Sequence, residues 1–260
     1  MDLSLTGLSV LITGGSKGIG LATARAFASE GCNLHLVART ATDLESARNE
    51  ITRDFDVSIT VYPVDLSHGT NVQQLAGSCA DVDILVNNAG AVPGGSIEAI
   101  DEQRWRLAWD LKVFGYINMM REYYVRMKAR GRGVIVNIIG NAGNQTPADY
   151  AAGVTADAML EVLTRTLGGV SLDYGVRIVG VSPGDLMNER GIMFLRHQAE
   201  KEWGDRDRWR ERLAKLPGGQ AGTSEGIADA VVFLASPRAS YISGAVLTID
   251  GGVSARRAVM

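Results

Sequence analysis

Cysteine and histidine are scarce in this sequence, and each scarcity closes off a class of function. Only Cys32 and Cys79 occur among 260 residues. Two thiols cannot build a disulfide framework, and the first residues show no basic stretch followed by an apolar core, so the expected compartment is the cytoplasm. The three histidines, His35, His68 and His197, share no spacing suited to a metal. No apolar run approaches the roughly 18 residues of a spanning helix, so no membrane role is expected. Charge of one sign is also missing. With 26 basic and 29 acidic residues the net charge is −3, too little to draw the chain to nucleic acid or an anionic membrane.

What is present is a regular alternation. Short β-branched runs begin at Ser9–Thr13 and recur at Asn33–Val37, Ser58–Pro63, Asp83–Asn88, Gly133–Ile139, Val176–Val181 and Ala245–Ile249. Helical patterns lie between them at Gly18–Glu30, Thr42–Phe55, Asp101–Lys128, Tyr150–Leu172 and Ser224–Leu234. Strands spaced by helices require crossover connections. The expected fold is therefore α/β, a doubly wound Rossmann fold with a mostly parallel seven-stranded sheet, built as one domain over residues 1–260. Residues 188–217 break the rhythm, being dense in charge with Ile192, Met193, Phe194, Leu195, Trp203, Trp209 and Leu213 interspersed. An insertion there overhangs the carboxyl edge of the sheet and reads as a substrate lid. A helical pair serving only packing is the alternative.

The segment TGGSKGIG at Thr13–Gly20 joins the first strand to the first helix. Gly14 turns the chain, Gly18 lets backbone approach a pyrophosphate, and Gly20 lets helix and strand pack closely. The helix amino terminus then offers N–H groups to phosphate. At the end of the second strand, where an NAD site places an acid, stand Ala38, Arg39 and Thr40. Arg39 and Lys17 are both able to pair with a 2′-phosphate, which favours NADP(H).

These segments, with NNAG at Asn87–Gly90, SPG at Ser182–Gly184 and the run from Phe233 to Gly252, resemble the short-chain dehydrogenase/reductase family over essentially the whole chain. The resemblance implies cofactor contacts at Gly14, Ser16, Lys17, Gly18, Ile19 and Gly20, at Arg39, Asp65 and Leu66, at Asn88, Ala89 and Gly90, and at Pro183 and Gly184. It also implies a homo-oligomer, in the usual case a homotetramer, with the helices from Asp101 and Tyr150 as interfaces and Met159, Leu160 and Leu163 shared between core and contact.

The family's catalytic set is Ser, Tyr and Lys with an Asn on the preceding helix. Matched to it, this sequence keeps Tyr150 but reads Gly140 for Ser, Val154 for Lys and Lys112 for Asn. Free tyrosine titrates near 10, and a cation about 4 Å away lowers that by roughly 3 units at an effective dielectric near 20. Valine supplies no such charge. Lys112 is the one matched position that has become cationic, so the expected pair is Tyr150 as general acid/base with Lys112 as its relocated ammonium. The alternative places Lys112 at the surface with its head in water. Asn141, Asn144 and Gln145 are candidates for the missing serine's hydrogen bond. The expected activity is NADP(H)-dependent interconversion of a carbonyl and an alcohol on a small molecule. A lyase or isomerase on the same scaffold, and a nucleotide-binding pseudoenzyme, stay open beside it.

Overall fold

The computed structural model describes residues 2–256. In chain order the elements are β1 (Ser9–Thr13), α1 (Gly18–Ser29), β2 (Asn33–Ala38), α2 (Ala41–Asp54), β3 (Ile59–Pro63), α3 (Gly69–Ser78), β4 (Ile84–Asn87) and α4 (Glu102–Trp109). A π-turn (Asp110–Phe114) follows, then α5 (Gly115–Arg130), β5 (Gly133–Ile138), α6 (Ala142–Gln145), α7 (Ala151–Ser171) and β6 (Val176–Pro183). The last elements are α8 (Glu189–Trp203), α9 (Trp209–Leu213), α10 (Ser224–Ala235) and β7 (Val246–Ile249).

The sheet has seven strands in the order β3-β2-β1-β4-β5-β6-β7, and every neighbouring pair is parallel. The sheet is thus wholly parallel. Successive side chains on a strand face opposite ways, which divides the core in two. Val10 and Ile12, with Ile84, Val86, Val179 and Val181, meet Phe27 of α1, Leu44 of α2 and Val231 of α10 on one face. Leu11, Leu85, Ile135 and Ile178 meet Val72 of α3, Tyr116 and Met119 of α5 and Leu160 of α7 on the other. Burial on both faces explains the unbroken apolar runs of the strands.

Two features depart from the sequence reading. Helix α3 was not signalled, because Gly-Thr-Asn opens it and His68 caps it without a side-chain hydrogen bond. The helix expected over Asp101–Lys128 is split by the π-turn. Asp101 caps the first half through the Arg104 N–H at 2.8 Å, and Gly131, with φ +69°, ends the second. The extra residue in the turn changes the helical phase between the halves.

Residues 188–217 contain no strand. Leu195, Ala199 and Trp209, with Ile192, Trp203 and Leu213 around them, make a small core of their own. Three ion pairs lie within the segment: Arg208 with Glu211 at 2.7 Å, Arg212 with Glu202 at 2.5 Å, and Lys215 with Glu202. The guanidinium of Arg208 and the ammonium of Lys215 lie 4.7 and 4.6 Å from the Trp203 ring. The charge noted in this segment is thus partly a solvated, self-paired face.

Candidate active site

The strand order reverses between β1 and β4, so the carboxyl ends of these strands open a crevice. Gly14 (φ +65°) and Gly18 (φ +55°) shape the turn above β1. A Cβ on Gly20 would run into the Gly14 carbonyl, so only glycine lets α1 start this close to the strand. Asn88 holds the turn from β4: its side-chain amide donates to Thr13 O at 2.9 Å and Gly14 O at 3.2 Å. The Asn88 and Ala89 N–H groups in turn donate to Thr13 Oγ1 at 2.8 and 3.0 Å. Lys17 precedes α1 without capping it by a side chain, which leaves the first-turn N–H groups free for a phosphate. Ser16 and Ile19 lie on the same turn, and the cradle fits a dinucleotide.

The periphery of the crevice holds the remaining expected contacts. Arg39 is exposed at the end of β2. Lys17 Nζ is tied to Asp43 Oδ2 at 2.9 Å, an acid in the first turn of α2 that a reading of the second strand's end alone misses. Asp65 Oδ1 accepts from Ser67 N at 3.0 Å and Ser67 Oγ at 2.7 Å. Burial resists ionisation of Asp65, but these two bonds prevail and hold its carboxyl below the usual range. Leu66 beside it is buried, as is Pro183 at the end of β6, and Gly184 follows with its N–H on Ile249 O at 2.9 Å.

Lys112 and Asp157 form a buried charged pair beside the crevice. Lys112 sits in the π-turn and is 8% exposed. It does not reach the surface. Its Nζ donates to Ile139 O at 2.6 Å and Ile138 O at 3.2 Å, and lies 3.7 Å from Asp157 Oδ1. The contact expected with Tyr150 is thus replaced by one with Asp157, a residue the sequence reading missed. Two glycines make room: a Cβ on Gly90 would come 2.8 Å from Lys112 Cδ, and one on Gly140 would come 2.5 Å from Asp157 Oδ2. Burial pushes Asp157 above and Lys112 below their ordinary values, while each favours ionisation of the other.

Tyr150 stands at the head of α7, with its ring so close over Gly153 that a Cβ there would overlap it. Phe194 of α8 meets that ring edge-on at 6.2 Å, and Val92, Trp105 and Ala108 pack beside it. Burial raises the phenol's pKa, the charge on Arg190 lowers it, and Asp157 raises it further. Arg190 Nη1 also donates to Gly90 O at 2.7 Å. The loop amides lie elsewhere: Asn141 donates to Asp250 at 3.3 Å, Asn144 to Glu161 at 3.1 Å, and Gln145 is exposed. His35 is engaged with Ser9 and Tyr62. Among the described residues no group of His, Cys, Asp and Glu is placed to hold a metal, and no helix is long and apolar enough to cross a membrane.

Comparison with known proteins identifies the fold and the family. A family model described as enoyl-(acyl carrier protein) reductase matches residues 14–254. Galactitol 2-dehydrogenase (L-tagatose-forming) of Cereibacter sphaeroides is 33% identical over 251 residues, 95% of each chain. L-sorbose reductase from Gluconobacter frateurii, solved with NADPH and L-sorbose, superimposes with TM-score 0.89 at 29% identity, covering 96% of this chain and 98% of that one. An NAD+-bound xylitol dehydrogenase gives the same TM-score at 25% identity over 96% and 100%. By sequence, by sheet order and by the glycine turn locked to Asn88, the chain belongs to the short-chain dehydrogenase/reductase family.

Proposed function

We propose that this chain is an NADP(H)-dependent oxidoreductase that interconverts a carbonyl and an alcohol on a small molecule, with Tyr150 as the general acid/base. One observation carries the reading. The Tyr150 phenol, the Lys112–Asp157 pair and Arg190 gather beside Gly90, at the carboxyl edge of the sheet next to a turn shaped for a dinucleotide. When bound, the nicotinamide supplies or accepts the hydride. The protein's own residues hold the reactants and move the proton at Tyr150 Oη.

Lys112 bears on this site through Asp157: its ammonium favours the ionised carboxylate and offsets part of that charge's opposition to a phenolate. Arg39, exposed at the end of β2, is the residue we assign to a 2′-phosphate. Residues 188–217 act as the lid of a one-domain chain, which assembles as a homotetramer. Because relatives are named for galactitol, L-sorbose and xylitol, polyols and ketoses are the first substrates to try.

The test is titration of the purified protein with NADPH and NADH, followed by polyol, ketose and simple ketone panels read by the absorbance of the reduced nicotinamide. Turnover that is lost in Tyr150→Phe is the expected result. Nucleotide binding with no turnover on any panel would overturn it in favour of a nucleotide-binding partner subunit.

A further inference from the structure

Val154 offers no charge to Tyr150, and the Lys112 ammonium is taken by Asp157 and two backbone carbonyls. Among the described residues, a further cation comes from α8. Helix α8 is capped by Asn188, whose Oδ1 accepts from Gly191 N at 2.9 Å, so Arg190 belongs to its first turn. Arg190 and Phe194 are four residues apart and share a face of the helix. Phe194 meets the Tyr150 ring at 6.2 Å while Arg190 reaches Gly90 O at 2.7 Å. A third tie, Lys201 to Asp149 at 2.8 Å, fixes the far end of α8 to the residue preceding Tyr150. The helix is therefore held at three points around Tyr150, and its arginine head ends on a neutral carbonyl.

We propose that Arg190 is the cationic partner of Tyr150, carried on α8, so that the acid/base group is complete only when that helix is docked. This rests on the reading of Tyr150 as the proton-transfer residue. The charged groups facing the phenol are Arg190 from α8 and Asp157 from α7; the apolar side is Phe194, Val92, Trp105 and Ala108. Asp157 opposes the phenolate and is itself offset by Lys112, which leaves Arg190 as the group that favours it. A guanidinium stays charged across the working range of any such site. The arrangement links proton transfer to lid position: with α8 lifted, Tyr150 loses its cation and keeps the opposing carboxylate.

The experiment reads Tyr150 directly. The full chain is labelled with 3-fluorotyrosine, the Tyr150 fluorine resonance is assigned by its absence in Tyr150→Phe, and its titration midpoint is followed by NMR. Arg190→Gln should raise the midpoint by about one pH unit or more, a tenfold smaller phenolate population at fixed pH. Arg190→Lys should recover part of the shift, because charge is kept and fork geometry is not. Lys112→Met should move it less than Arg190→Gln does. An unmoved midpoint in Arg190→Gln overturns the proposal, as does a larger shift in Lys112→Met. The readout needs no substrate, so a failed redox screen overturns the proposed function while leaving this inference to be judged by the midpoint alone.

Discussion

The carboxylate of Asp157 stands in the space that a side chain at Gly140 would fill, with Oδ2 2.5 Å from where that Cβ would lie. The backbone of Gly140, at φ +148°, also suits glycine. A serine at this position and the carboxylate at 157 exclude each other. Gly140→Ser should destabilise the fold by about 2 kcal/mol, from backbone strain and displacement of Asp157. Combined with Asp157→Ala it should cost less than the sum of the singles, because the clash is relieved once. Urea unfolding of the four proteins measures the coupling. Strict additivity would show that the two positions do not compete.

Lys112 and Asp157 form a buried pair, and removing one partner strands the other charge. Lys112→Met alone should destabilise by about 3 kcal/mol, as should Asp157→Leu, whereas the double variant should be closer to the parent than either single. Chemical denaturation at neutral pH decides this. A double variant as unstable as the sum of the singles would mean that the two charges act independently.

Arg39→Asp should weaken NADPH binding by about 2 kcal/mol or more, since attraction to the 2′-phosphate becomes repulsion. Lys17→Ala should matter less, because Lys17 is already paired with Asp43 at 2.9 Å. Fluorescence titration with both nucleotides measures this. NADH binding as tight as NADPH in the parent protein would remove the basis for the preference.

His35 bridges Ser9 Oγ at 3.1 Å and the Tyr62 hydroxyl at 3.3 Å, and burial holds its pKa below the ordinary histidine value. Protonation is therefore easier in the unfolded chain. The stability involved is fully present above the unfolded value of about 6.5 and is lost as pH falls through the lower folded one. In His35→Gln the acid-side decline should be shallower, as read by urea midpoints between about pH 5 and pH 8.

On α7 Leu160 is wholly inside the subunit, Met159 and Leu163 are half-buried, and Val162 is 63% exposed. The surface left for a neighbouring copy is therefore the Val162 face. Val162→Arg should lower the mass seen by light scattering, and a parent protein that is already monomeric at micromolar concentration would contradict the tetramer.

The strands were legible to within a residue or two because burial on both sheet faces leaves continuous β-branched runs, as in Val10–Ile12 and Val134–Val136. The glycine turn was legible because its chemistry is local. The charged cluster was not. Lys112 and Asp157 are 45 residues apart in sequence, and nothing near either announces the other. The clue lay in the glycines at 90 and 140, whose missing side chains admit them. Arg190 was hidden differently, as one of six arginines in a charged segment, two of which pair with glutamates of that segment.

The π-turn at Asp110–Phe114 has a further consequence for how this region tolerates changes in length. Helix α5 is committed to the sheet through Tyr116, Met119, Met120 and Tyr123, while α4 is committed to the head of α7, where Trp109 Nε1 donates to Ala152 O at 3.1 Å. Each half has its own angular setting, and the wide turn is the splice between them. Deleting one residue there would restore an ordinary helix and rotate one half against the other by about 100°. Since α5 is the more deeply buried half, Lys112 would be the side chain that swings away from Asp157. The spare residue thus acts as a phase adjuster, and the ionic cluster depends on chain length here as much as on residue identity.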